Sequence, residues 1–355
     1  MTTAPQTATK PLPLVKRHQR LGAVLGTVDG AAVPLRYGPV TGEVRALREG
    51  CGLADRSWTG RLELIGADRH RFLNAYVTCE VKGLAPGEGA YSFFTNPKGG
   101  ILSDVVVLVH EDRLWLQLPP GQEDAMAAHL RKYILADRVE LRPLEDMLPI
   151  SLLGPRAAEA LGTELPPDGD WRHIRARVHG TEVALQRTGR MGVEAFTLWV
   201  SASIAGHLTE TLLEIPGVLP AGFEALEVLR AEAGIPRFGR DFGPENFPQE
   251  TGAEGGVSYT KGCYLGQEVV ARIHYRGGVQ KTLRGLDFGI GPAPEPGTPL
   301  LFENRDVGKA TTVVDSVLLG RPIGLAILHK RAAEPGTRLD LPGGGGAEVR
   351  ELPFG

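Results

Sequence analysis

The sequence predicts an α+β protein whose chain ends in a small β-barrel. Two observations predict it. Between about residues 60 and 214, strands followed by a helix occur in two successive rounds. From Arg284 onward, short strands alternate with Pro/Gly turns at the spacing of a small all-β barrel. At 355 residues the chain is long enough for two or three domains around a substantial core.

The elements follow from local pattern. Thr41 to Glu49 reads as a short helix capped by Thr41 and ended by Gly50 and Gly52, with Cys51 as a small buried residue at the start of a strand. Gly60–Gly66 alternates polar and apolar residues and reads as a half-buried strand. Asp68 to Val77 reads as a helix with Asp68 as its cap. Gly89–Thr95 and Ile101–Val109 read as a hairpin across the Asn96-Pro97-Lys98-Gly99-Gly100 turn. A strand at Leu114–Leu118 and a helix at Gln122–Ile134 close the first round. The second round has strands at 139–141, 148–153, 171–178, 182–187 and 195–200, and helices at 155–161 and 205–214. Ala221–Ala233 is a further helix, ended by Gly234 and Pro236. The irregular stretch Pro236–Thr260 is long for a compact domain, and loops of that length are often functional. The barrel strands are 283–288, 298–302, 308–315, 321–326 and 338–341, and Gly343–Gly346 reads as a hairpin turn.

Composition excludes several classes. A formal net charge of -3 and the lack of a basic block argue against direct nucleic-acid binding. No apolar run reaches the ~18 residues of a membrane span. Cys51, Cys79 and Cys263 form no C-x-x-C pair, so no metal site is expected from this chain alone. The first 22 residues carry basic residues and threonines but no acid. Their prolines hinder the amphipathic helix of a transit peptide, so a flexible tail ordered from about Val15 is the favoured reading.

The most unusual stretch is Lys261-Gly262-Cys263-Tyr264-Leu265-Gly266-Gln267-Glu268. A cysteine kept for packing usually has apolar neighbours. Cys263 instead lies between a cation and an amide–acid pair, with glycines on both sides. Tyr264 to Ile273 has helical character, and Glu268 can pair with Arg272 four residues on. Cys263 would then lie at a helix N-terminus, where the dipole and Lys261 both favour a thiolate. Gly262 and Gly266 allow close approach of a ligand, and Gln267 can orient one. Elsewhere, Asp104 interrupts an apolar strand as a carboxylate that could face a pocket or solvent. Arg230 and Glu232 lie at the end of a helix.

The motif Lys261-Gly262-Cys263-Tyr264-x-Gly266-Gln267-Glu268 resembles that of YgfZ-type folate-binding proteins, in the superfamily of the glycine cleavage T-protein (aminomethyltransferase). Gly99-Gly100-Ile101-Leu102-Ser103-Asp104, Arg187-Thr188-Gly189, Leu229-Arg230-Ala231-Glu232-Ala233-Gly234 and Val307-Gly308-Lys309-Ala310-Thr311 resemble T-protein segments. The resemblance implies a three-domain ring with a central folate pocket. The expected layout is a tail at 1–22, a folate-binding α+β region of two intertwined subdomains at 23–282, and a barrel at 283–355. It implies tetrahydrofolate or a derivative as cofactor. The candidate folate contacts are Arg230, Glu232, Asp104 and Arg190, the last standing where the T-protein has Tyr. Ser103 replaces one acid of the T-protein pair, and Thr197 replaces its pterin-binding Glu, which can accept two parallel N–H bonds. The resemblance therefore implies an accessory protein for assembling or repairing iron–sulfur clusters in client enzymes, tRNA-modifying ones included. It would act through Cys263 with transient iron–sulfur client or assembly partners, in the cytoplasm of a bacterium or the mitochondrial matrix of a eukaryote. The alternative is a folate-dependent aminomethyl transferase of the T-protein kind, in which Cys263 has no role.

Overall fold

Met147–Leu153 is an almost wholly buried strand, as its apolar run demands, and it lies inside a six-stranded sheet. The computed structural model describes residues 10–188 and 191–355. Two compact units divide these residues: 10–66, 108–188 and 193–226 in the first, and 67–107, 191–192 and 227–355 in the second.

The sheet of the first unit runs in the order His173–Val178, Thr181–Arg187, Ala195–Ser201, Met147–Leu153, Cys51–Asp55, Val218–Pro220. Only the last pair is parallel. Its core holds Leu53, Ile150, Leu152, Phe196 and Leu198, packed with Leu208 and Leu212. Those two leucines come from helix Ala202–Leu213. Each side chain of this size contributes about 1.5–3 kcal/mol when fully buried. Gly60–Ile65 pairs with both Arg113–Leu118 and Glu140–Pro143. A buried relay ties the first residues down: Tyr37 Oη lies 2.7 Å from His18 Nδ1, and His18 Nε2 lies 2.7 Å from Asp55 Oδ2.

In the second unit, Gly89–Thr95 is hydrogen-bonded to the neighbouring strand that begins at Ile101, as its sequence predicts. Phe93 and Ile101 bury against Phe238, Phe242 and Ala253. The irregular stretch after Pro236 thus has a packing function. Seven strands form the C-terminal sheet, in the order Arg305–Lys309, Pro299–Phe302, Arg338–Asp340, Gly346–Arg350, Lys281–Asp287, Arg321–His329, Thr312–Ser316. It curls around Leu286, Leu300, Leu328 and Val349. The four-glycine run joins Arg338–Asp340 to Gly346–Arg350 as a hairpin turn.

Several boundaries differ from the sequence reading. Pro39, not Thr41, precedes helix Val40–Glu49. The helix after Asp68 ends at Asn74, and the Asp68 side chain makes no capping hydrogen bond to it. The expected strand at 308–315 is two strands, Arg305–Lys309 and Thr312–Ser316. Among the described residues no helix is long and apolar enough to cross a membrane.

Candidate functional site

The Lys261–Glu268 loop is held from beneath by residues of its own unit. Lys261 Nζ donates to the carbonyl oxygens of Asn74 at 2.6 Å and Cys79 at 2.7 Å, and also to that of Val77. Burial pushes its pKa down to about 8. The ammonium lies 4.8 Å from the centre of the Tyr264 ring, a cation–π contact. Tyr264 is buried, and burial raises its phenol pKa. Leu265 is fixed through both backbone groups: its N–H donates to Ala75 O at 3.0 Å, and its carbonyl accepts from Thr95 Oγ1 at 2.5 Å. Gly266 is left-handed at φ 85°, and a Cβ there would lie 2.5 Å from Asn96 O. Its glycine is thus demanded by the protein's own backbone. Gly262, also left-handed at φ 93°, has nothing within 4 Å of a notional Cβ.

This geometry revises the sequence argument for Cys263. The thiol is exposed. The helix that follows is Gln267–Arg272 with Gly266 as its cap, so Cys263 lies three residues before that cap. Lys261 is turned to three carbonyls. Neither the dipole nor the cation is placed as the spacing predicts. Gln267 is half-buried, and its N–H donates to Tyr264 O at 3.1 Å. Glu268 and Arg272 are exposed and form no ion pair among the described residues. Cys51 and Cys79 are buried, and burial raises both thiol pKa values, that of Cys51 to about 11.

Arg230 and Glu232 are built into the second unit. Arg230 Nε and Nη2 donate to Glu227 at 2.6 and 2.7 Å. Its Nη1 donates to Asp241 at 2.8 Å and to Ile235 O at 3.0 Å, and Nη2 also to Thr312 Oγ1 at 2.8 Å. A guanidinium has five N–H donors, and all five are engaged. Burial would lower the Arg230 pKa, but Asp241 and Glu227 together hold it above its ordinary value. Glu232 is 1% exposed and accepts from Ser316 Oγ at 2.7 Å and Leu318 N at 2.9 Å. Sequence reasoning named Arg230 but missed Glu227 and Asp241, its ion-pair partners. Glu227 precedes it by one helical turn, a signal the spacing does carry.

Asp104 is half-buried on its strand and accepts from Tyr91 Oη at 2.9 Å. Arg190 lies outside the described residues. In the first unit, Thr197 is buried, and its hydroxyl lies 2.8 Å from Ser151 Oγ and 3.0 Å from Thr188 Oγ1. The hydroxyls are brought together by strand register, since Thr197 pairs directly with Ser151. Among the described residues no group of three or more His, Cys, Asp or Glu could hold a metal ion.

Comparison with known proteins adds the family. Residues 14–261 match the GCVT N-terminal domain, and residues 281–354 match the glycine cleavage T-protein C-terminal barrel domain. An aminomethyltransferase of Deinococcus deserti is 31% identical, over 96% of this chain and 99% of its own. One from Thermotoga neapolitana is 30% identical, over 94% and 93%. The crystal structure of glycine cleavage system aminomethyltransferase T from Bartonella henselae superposes with a TM-score of 0.89 at 25% identity, covering 98% of each chain. These names overturn the expectation of an accessory protein for iron–sulfur assembly and tRNA modification. Full-length likeness to aminomethyltransferases outweighs an eight-residue motif, and it points to the alternative of folate-dependent transfer. With both of its domains matched and near-full-length relatives at about 30% identity, the chain belongs to the aminomethyltransferase superfamily of the glycine cleavage T-protein.

Proposed function

We propose that this chain is a tetrahydrofolate-dependent one-carbon transferase of the aminomethyl-transferring kind. The observation that carries the reading is near-complete coverage of relatives named for that activity. Bound tetrahydrofolate would supply the nitrogen acceptors for the one-carbon unit. The residues fit that group in part. Asp104, oriented by Tyr91, offers a carboxylate able to accept a hydrogen bond or a proton from an amine. Arg230 has no N–H left for a ligand, because its five donors serve its own unit.

The test is formation of methylenetetrahydrofolate from an aminomethyl donor by the full chain. Activity that falls by about 10²-fold or more in Asp104→Asn supports the assignment, in line with loss of a positioned acid–base group. No product from the wild-type chain removes it. A second reading is a folate-binding protein of the YgfZ-type branch that holds tetrahydrofolate without transferring a carbon. The Lys261–Glu268 motif favours it. Calorimetric binding of tetrahydrofolate with no methylene product would select this second reading.

A further inference from the structure

The first unit carries a cleft that the proposed chemistry does not use. Its volume is about 570 Å³, within the range of small-molecule sites. One wall is aromatic: the His110 and Trp115 rings are 4.0 Å apart, centre to centre, and His110 lies 4.6 Å from His173. Met147 adds an apolar surface.

Three arginines line the same cleft, and two of them are neutralised. Arg113 pairs with Asp112 at 2.7 Å and Glu63 at 3.1 Å, and Arg177 pairs with Glu182 at 2.9 Å. Arg175 is exposed and makes no ion pair among the described residues. Among the described residues, Arg175 is therefore the one arginine of the cleft whose guanidinium is not already engaged by a carboxylate.

The aromatic wall has hydrogen-bonding capacity to spare. Trp115 is only 7% exposed, yet its Nε1–H has no acceptor among the described residues. A buried indole N–H normally finds one. His110 Nε2 is also buried without a partner. Burial, with His173 and Arg113 beside it, pushes the His110 pKa down to about 3, so the ring is neutral near pH 7.

We propose that this cleft binds a planar heteroaromatic monoanion: a ring with an acceptor atom for Trp115 Nε1–H and a carboxylate for Arg175. A carboxylate matches the single unpaired guanidinium in charge, whereas a phosphate monoester carries about -1.5 to -2.

Nicotinate is a suitable probe, since it has a ring nitrogen and a carboxylate. Titration of the full chain, followed by ligand-observed NMR, should show saturable binding near about 1 mM, the strength a fragment of this size reaches. Nicotinamide, which lacks the charge, and benzoate, which lacks the ring acceptor, should each bind at least about fivefold more weakly, as expected for loss of one such contact. Arg175→Ala changes an exposed residue and should weaken nicotinate by a similar factor. Trp115→Phe keeps the ring and removes the donor, and should do the same with an unchanged circular-dichroism spectrum. No saturable binding up to about 20 mM, well above the expected range, overturns the proposal. So does equal binding by wild type and Arg175→Ala, or nicotinamide binding as tightly as nicotinate.

Discussion

Lys261 Nζ donates to the main-chain carbonyl of Cys79, 2.7 Å away, and so fastens the motif loop to the turn that follows helix Arg69–Asn74. The motif's cation is an anchor for backbone, and its cysteine stands outside on the surface. Lys261→Met should therefore loosen this loop and lower stability. The pH dependence has a defined sign. Burial sets the folded pKa at about 8, below the ordinary lysine value of 10.5. Between those values the unfolded chain holds more protons, so wild-type stability relative to Lys261→Met should rise with pH. The slope should not exceed about 1.4 kcal/mol per pH unit. Urea titrations at pH 7, 8.5 and 10 read it. A relative stability that falls across this window would show that the three carbonyls hold the ammonium more strongly than burial opposes it.

Arg230 should matter for folding before it matters for ligand. Arg230→Ala leaves Asp241 buried without its counter-charge, and Glu227 with the longer Arg237 contact at 3.4 Å, and should cost about 3–5 kcal/mol. Arg230→Lys cannot replace five donors in a planar fork and should also destabilise. Denaturation gives the stability, and calorimetry on the folded fraction gives tetrahydrofolate affinity. A variant of full stability with lost affinity would put Arg230 in contact with the ligand.

His110 predicts acid sensitivity of the first unit. Its folded pKa of about 3 lies below the ordinary histidine value of 6.5. In that window the unfolded chain binds the extra proton. The contribution is fully present above about pH 6.5 and is lost as pH falls toward 3. His173, whose pKa burial also lowers, adds in the same direction. The stability difference between pH 7 and pH 4.5 should shrink in His110→Phe, as read from urea midpoints. An unchanged difference would place the acid sensitivity elsewhere.

Gly266→Ala should cost at least about 2 kcal/mol, combining left-handed backbone strain with a clash against Asn96 O. Cys263→Ala should leave stability unchanged, because the thiol is exposed, and one-carbon transfer unchanged, because aminomethyl transfer gives Cys263 no role. Mass spectrometry after brief alkylation of the native chain should find label on Cys263 alone. Label on Cys51 or Cys79 at a comparable rate would contradict their burial.

Much of the fold was legible, for local reasons. The 89–109 hairpin announces itself through a polar turn between apolar runs, and the C-terminal strands through Gly/Pro spacing. The paired strands Val24–Val28 and Ala31–Arg36 were missed, because glycine, alanine and Pro34 dilute their pattern and one of them is largely exposed. The motif's importance to the loop was legible, but its chemistry was not. Lys261 binds carbonyls 182 to 187 residues away, and backbone oxygens leave no signature in sequence. The Thr197 cluster was likewise hidden, since it depends on register between strands that are 46 residues apart at the contact. Likeness along the whole chain carries more about function than the eight residues of the motif do.

Each unit is assembled from separated stretches of chain, and this orders events at the ribosome. Thr78 donates to Gly256 O at 2.6 Å, and Ser258 N–H donates to Thr78 O at 2.8 Å. Phe93 and Ile101 wait for Phe238 and Phe242 to cover them. A nascent chain halted near residue 226 would thus lack the cover that Phe238, Phe242 and Ala253 give Phe93 and Ile101, and exposed apolar surface of that kind is prone to aggregate.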